Sequence, residues 1–266
     1  MKKIVYSIFL LVFIFCNSFA MAQSKDSAQD SISALQKQGV EFRKSKQYDE
    51  AIRCFTEALQ MNPRHIGLYL QRGDTYRLMK KYDLAITDYG QAIWLKPSLP
   101  EPYVFRGISH GLRGEDRLAL QDFDKAVSLS PNKGGNYYNR GYTYGKLARF
   151  PEAIRDFDRA ITLSPSLYKA YYFKGLACEK VGSKSDALTA YQSFLKIVPA
   201  KETKRIQRAK DRVAALTLEL EPVKEPEKKA PLKPKKDKPK QKEPVEKHPK
   251  VAQPEDFGSP LGEEAF

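Results

Sequence analysis

The chain has 266 residues, 41% of them hydrophobic, and carries a net charge of +14. That length and apolar content provide one sizeable domain plus tails. The Lys-rich C-terminal segment is excluded as the source of the charge: from residue 221 onward 11 Lys meet 10 Asp and Glu, whereas residues 31–220 hold 32 Lys and Arg against 20 Asp and Glu. The folded part is therefore basic, which suits anionic partners or serves solubility.

The chain opens MKKIVYSIFLLVFIFCNSFAMAQ. Lys2 and Lys3 precede an apolar run from Ile4 to Cys16, and Ala20-Met21-Ala22 supplies a small-x-small cleavage pattern. This is the arrangement of a secretory leader over residues 1–22, with cleavage expected after Ala22. The run falls short of the ~20 residues of a membrane span, so no transmembrane span is expected once the leader is removed. Phe15 before Cys16 speaks against a lipoprotein site. The protein is expected to be exported, to a periplasm or beyond, with a bacterial envelope as the setting.

After a linker over 23–31, one period governs the chain. Gly39, Gly73, Gly107, Gly141 and Gly175 are spaced by 34 residues. Ala51, Ala85, Ala119, Ala153 and Ala187 keep the same step, as do Pro63, Pro97, Pro131, Pro165 and Pro199. So do the aromatics Phe55, Tyr89, Phe123, Phe157 and Tyr191. A 34-residue period is that of a helix-turn-helix repeat. In the fourth repeat, helix A is expected over Tyr137 to Leu147 and helix B over Pro151 to Leu163. Gly114 and Gly182 fall at the end of helix A, where glycine accepts a left-handed backbone. The small residues mark close helix approach, and the recurring ring fills the space they leave.

The pattern resembles the tetratricopeptide repeat family over five repeats: 32–65, 66–99, 100–133, 134–167 and 168–201. The resemblance implies an all-α fold, a right-handed α-solenoid whose inner groove binds peptides. Residues 202–220 read as a capping helix, with Ile206, Ala209, Val213, Leu216 and Leu220 on one stripe. Cys54 and Cys178 lie in the first and fifth repeats, too far along the array for a disulfide. The segment 221–266 is rich in Pro, Lys and Glu and is expected to be disordered. Its last stretch, Glu255 to Phe266, is acidic and carries Phe257, Leu261 and Phe266, a docking motif or a frayed end.

No catalytic constellation is apparent, and no metal, cofactor or specific nucleic-acid site is expected. His65 falls in a turn between repeats, His110 takes a core aromatic place and His248 lies in the tail. The run Asn132 to Asn136, NKGGN, reads as a turn. Arg72, Arg106 and Arg140 each precede the repeat glycine, and Asp88, Asp122 and Asp156 follow 16 residues later. Both members are replaced together in the first and fifth repeats, which predicts Arg–Asp contacts tying helix A to helix B.

Successive helical residues point ~100° apart. Tyr137, Gly141 and Tyr144 share the face toward helix B and read as core. Tyr138 and Tyr142 share the adjacent face, which the resemblance makes the groove wall. The corresponding residues are Leu70 and Asp74, Val104 and Ile108, and Tyr172 and Leu176, with Lys169 nearby. The groove is thus expected to be apolar and aromatic, unlike the Lys/Asn clamp of carboxylate-binding family members, unless packing of the array or the tail covers it. The resulting expectation is a non-enzymatic exported scaffold with protein or peptide partners. Two alternatives remain: a basic protein binding an anionic envelope component, and an accessory subunit of an envelope enzyme.

Overall fold

The computed structural model describes residues 28–221. The expected leader, and the tail beyond Glu221, lie outside the described residues, where every regular element is a helix. The helices form two compact units that divide after Asn132. The first unit contains α1 (28–44), α2 (Tyr48–Met61), α3 (Ile66–Leu78), α4 (Tyr82–Leu95), α5 (Pro100–Leu112) and α6 (Asp116–Leu129). The second contains α7 (Gly134–Lys146), α8 (Phe150–Leu163), α9 (Tyr168–Lys180), α10 (Lys184–Ile197) and α11 (Thr203–Leu220). Within each unit every helix packs on its neighbours in sequence.

The repeat residues explain this packing. A Cβ built on Gly39 would meet the Phe55 ring at 2.6 Å, one on Gly73 the Tyr89 ring at 2.8 Å, and one on Gly175 the Tyr191 ring at 2.7 Å. Only a bare backbone lets helix A sit that close to the ring of helix B. All five rings, Phe55, Tyr89, Phe123, Phe157 and Tyr191, are fully buried beside the equally buried repeat alanines. Each ring contributes roughly 1.5–3 kcal/mol by leaving water. Each helix B stops two residues before its proline, which has no N–H with which to continue the ladder.

The corner between the two helices is left-handed in every repeat. Gly114 and Gly182 have φ of +81° and +79°, and Lys46, Lys80 and Ala148 take 61°, 58° and 56° at the same repeat place. The last three pay the steric cost of a Cβ in that region.

Two expectations about the fourth repeat need correcting. NKGGN is a turn only at its start, because α7 already begins at Gly134. The reason is contact: a Cβ on Gly134 would meet Ser164 Oγ at 2.5 Å and the Ala160 carbonyl at 2.9 Å. Nor do Tyr137 and Tyr144 form the core. Both are half-buried and lie against guanidinium groups, Arg140 being 5.5 Å and 5.9 Å from their ring centroids.

The Arg–Asp pairs form as expected. Arg72 Nε and Nη2 donate to Asp88 at 2.9 and 2.7 Å. Arg106 repeats this on Asp122 at 2.9 and 2.7 Å, and Arg140 on Asp156 at 2.7 and 2.8 Å. This two-pronged geometry matches a planar guanidinium to a carboxylate. Burial pushes the Asp88 carboxyl above its usual range, against the pull of Arg72.

The helix α11 continues the period. Ala209 stands 34 residues after Gly175 and is fully buried. Tyr168 donates to Glu202, its counterpart one repeat later, at 3.0 Å. The helix is a sixth helix A, anchored to α9 by Arg212–Glu179 at 2.5 Å and to α10 by Lys184–Glu219 at 3.0 Å. Cys54 and Cys178 are both buried and free.

Candidate interaction face of the helix pairs

In the first unit, the A helices α3 and α5 carry Leu70, Asp74, Val104 and Ile108. Leu70 is half-buried, while Val104 and Ile108 are buried. Asp74 is committed to local bonding. Its Oδ1 accepts from the Tyr89 hydroxyl at 2.9 Å and from Arg77 at 3.1 Å, and Arg43 approaches Oδ2 at 3.8 Å. This carboxylate therefore links α1, α3 and α4. His65, in the turn between repeats, caps α3 by accepting from the Leu68 N–H at 3.2 Å. His110 pairs with Glu115 at 2.7 Å.

In the second unit, Tyr138, Tyr142, Lys169, Tyr172 and Leu176 come together on α7 and α9, and all five are buried. Phe173 organises them. Its ring lies 5.1 Å from Tyr142 edge-on, 5.4 Å from Tyr172 and 6.2 Å from Tyr138. Tyr138 also meets Phe157 at 6.2 Å, and Tyr172 meets Phe194 at 5.2 Å. Edge-to-face and tilted pairs at such spacings add to simple area burial.

Tyr138 is the member that feels the charged groups of α11. Its side chain is 5% exposed, and its hydroxyl is buried without a hydrogen-bond partner. Burial pushes that hydroxyl well above the ordinary tyrosine range, with Arg205 on α11 pulling the other way. A buried hydroxyl left unpaired costs about 1–3 kcal/mol. Around it lie the Tyr168–Glu202 bond and the Glu202–Arg205 ion pair.

The sequence reasoning missed Phe173, Glu202 and Arg205. A signal existed for Phe173: its counterpart Phe105, two repeats earlier, packs on the ring of the preceding helix B, at 5.6 Å from Tyr89. Glu202 carried one too, lying 34 residues after Tyr168.

Comparison with known proteins agrees with this architecture. A tetratricopeptide repeat model matches residues 32–65 and 137–167, and a second tetratricopeptide repeat model matches 66–99. A crystal structure of MamA is 25% identical with a TM-score of 0.56, covering 64% of this chain and 96% of that one. YrrB, a TPR protein with an unusual peptide-binding site, is 18% identical with a TM-score of 0.57, covering 73% and 97%. MamA 41-end from Desulfovibrio magneticus RS-1 is 21% identical with a TM-score of 0.55, covering 67% and 97%. No curated protein matches the chain.

Proposed function

Because the chain belongs to the tetratricopeptide repeat family, we propose that it is a non-catalytic scaffold that holds a protein or peptide segment against its A helices. Tyr138 is the observation that carries this reading. A hydroxyl buried at a cost, inside an aromatic cluster and beside Arg205, is a group that a partner's polar atom would satisfy. The rings around it supply apolar anchoring of the kind that extended or helical segments use. Because these side chains are buried in the chain by itself, partner entry displaces neighbouring side chains. The peptide-binding site of YrrB is consistent with this use of the fold.

The reading includes action outside the cytoplasm, which the leader-like residues 1–22 support. It also includes a bacterial envelope assembly as the setting.

Photo-crosslinking in cells tests the proposal. A photoreactive residue at Lys146, one turn beyond Tyr142, should trap a partner. The same residue at Thr162, exposed on α8, should not. Tyr138→Ala should abolish the adduct without unfolding the repeats. Equal adducts at both positions, or none at Lys146, would overturn the proposal.

A further inference from the structure

The five B helices serve as controls for one another, because equivalent residues recur every 34 positions. On α4 four exposed places are held by Leu84, Thr87, Gln91 and Trp94, with Asp83 exposed beside Leu84 at the N-terminal end. The same places hold Glu50, Arg53, Glu57 and Gln60 on α2, and Leu118, Gln121, Lys125 and Ser128 on α6. On α8 they hold Glu152, Arg155, Arg159 and Thr162, and on α10 Asp186, Thr189, Ser193 and Lys196. Only α4 has no charged residue at these four places. Trp94, the sole tryptophan of the chain, is 73% exposed, and Leu84 is 47% exposed. Leu118 on α6, at the place of Leu84, is 43% exposed. Gly90 leaves open space beside Trp94.

The row from Leu84 to Trp94 is bracketed by cations. Lys80 and Lys81 stand exposed at its N-terminal end and Lys96 at its C-terminal end. A recess of ≈ 370 Å³, lined by Lys80, Lys81, Tyr82, Asp83, Leu84 and Arg113, opens beside Leu84. Its acidic member, Asp83, is held by Arg113 at 2.5 Å, so the lysines dominate the field there.

We infer that the solvent face of α4, with its flanking lysines, docks the protein on an anionic lipid surface. Tryptophan favours the boundary between water and acyl chains, where its ring is buried and its N–H stays wet. Lysines at both ends supply the complement to anionic headgroups. A protein partner for a face of one Trp and two Leu would not by itself call for cations at both ends. The proposed face on the A helices is left free, so this surface is additional to the scaffold reading.

The sole tryptophan makes the test direct. The full chain is titrated with vesicles of phosphatidylglycerol and, separately, of phosphatidylcholine. Trp94 emission should shift to the blue with the first and not the second, and the shift should weaken as salt rises. Lys80→Glu with Lys96→Glu should cut the vesicle-bound fraction about tenfold or more. A Trp94→Phe chain carrying Thr162→Trp should sediment less with vesicles and show no shift. Equal shifts with both lipids, or none with phosphatidylglycerol, overturn the inference. So does a shift that depends on protein concentration without lipid, which assigns the face to a second copy of the chain.

Discussion

The helix pair α5–α6 and the pair α9–α10 solve one problem in two ways. In α5–α6, Arg106 grips Asp122 across the pair through two hydrogen bonds, and α3–α4 and α7–α8 do the same. The α9–α10 pair has Lys174 and Ala190 at those places. Lys174 turns instead to Asp158 on α8 at 2.6 Å, and Ala190 is buried. Closure there comes from Glu179, which accepts from the Tyr191 hydroxyl at 2.7 Å and from Arg212 on α11 at 3.1 Å. An Arg–Asp pair inside the array is thus latched within itself, whereas the last pair shares one carboxylate between its own Tyr191 and the cap. The lesson is that the last repeat gives up the Arg–Asp latch and uses a carboxylate that also attaches the element covering it.

Breaking the internal latch should have the largest effect. Asp122→Ala strands the Arg106 guanidinium and should lower stability by about 2–3 kcal/mol, less than for a fully buried charge because Arg106 keeps 28% of its side-chain exposure. Thermal melting reads this out, and an unchanged midpoint would remove the latch from the account. Gly107→Ala forces a Cβ to 2.9 Å from the Phe123 ring and should cost about 1–3 kcal/mol in urea unfolding.

Glu179→Gln weakens the terminal latch and should cost about 1–2 kcal/mol. Its signature is local: faster amide exchange across Thr203–Leu220 with α5–α6 unaffected. Uniform acceleration would erase the distinction between the two pairs. Ala148→Gly relieves the left-handed corner of the fourth repeat and should stabilise by about 0.5 kcal/mol, the steric gain exceeding the added chain entropy.

A pH dependence at Cys178 adds a test within the α9–α10 pair. Burial pushes its thiol up to about 11 from an ordinary 9.0. The folded state keeps a proton that the unfolded chain gives up, so this contribution is intact below pH 9.0 and is lost as pH rises to about 11. Urea midpoints at about pH 8 and about pH 10 should differ more for the native chain than for Cys178→Ala.

The tyrosines of α7 mark where reading by sequence stopped. The ~100° step put Tyr137 and Tyr144 toward helix B and Tyr138 and Tyr142 on a wall. Arg140 and Gly141 take the space facing Asp156, and Tyr137 and Tyr144 are left to stack on Arg140. Phe173, from the next repeat, closes over Tyr138 and Tyr142. Periodicity within one helix describes its own partner and carries no information about a ring delivered from 30 or more residues away.

What the sequence by itself determined was everything local or periodic: the all-α class, the 34-residue step, the glycine–ring contacts and the Arg–Asp latches. These depend on residue size, backbone freedom and charge at fixed spacing, all of which repeat in register. The tertiary structure alone decided which aromatic faces are buried, that α11 is a sixth helix A, and that Tyr138 keeps an unpaired hydroxyl. Those outcomes depend on how one repeat covers the next, a sum over side chains distant in the chain that no single helix encodes.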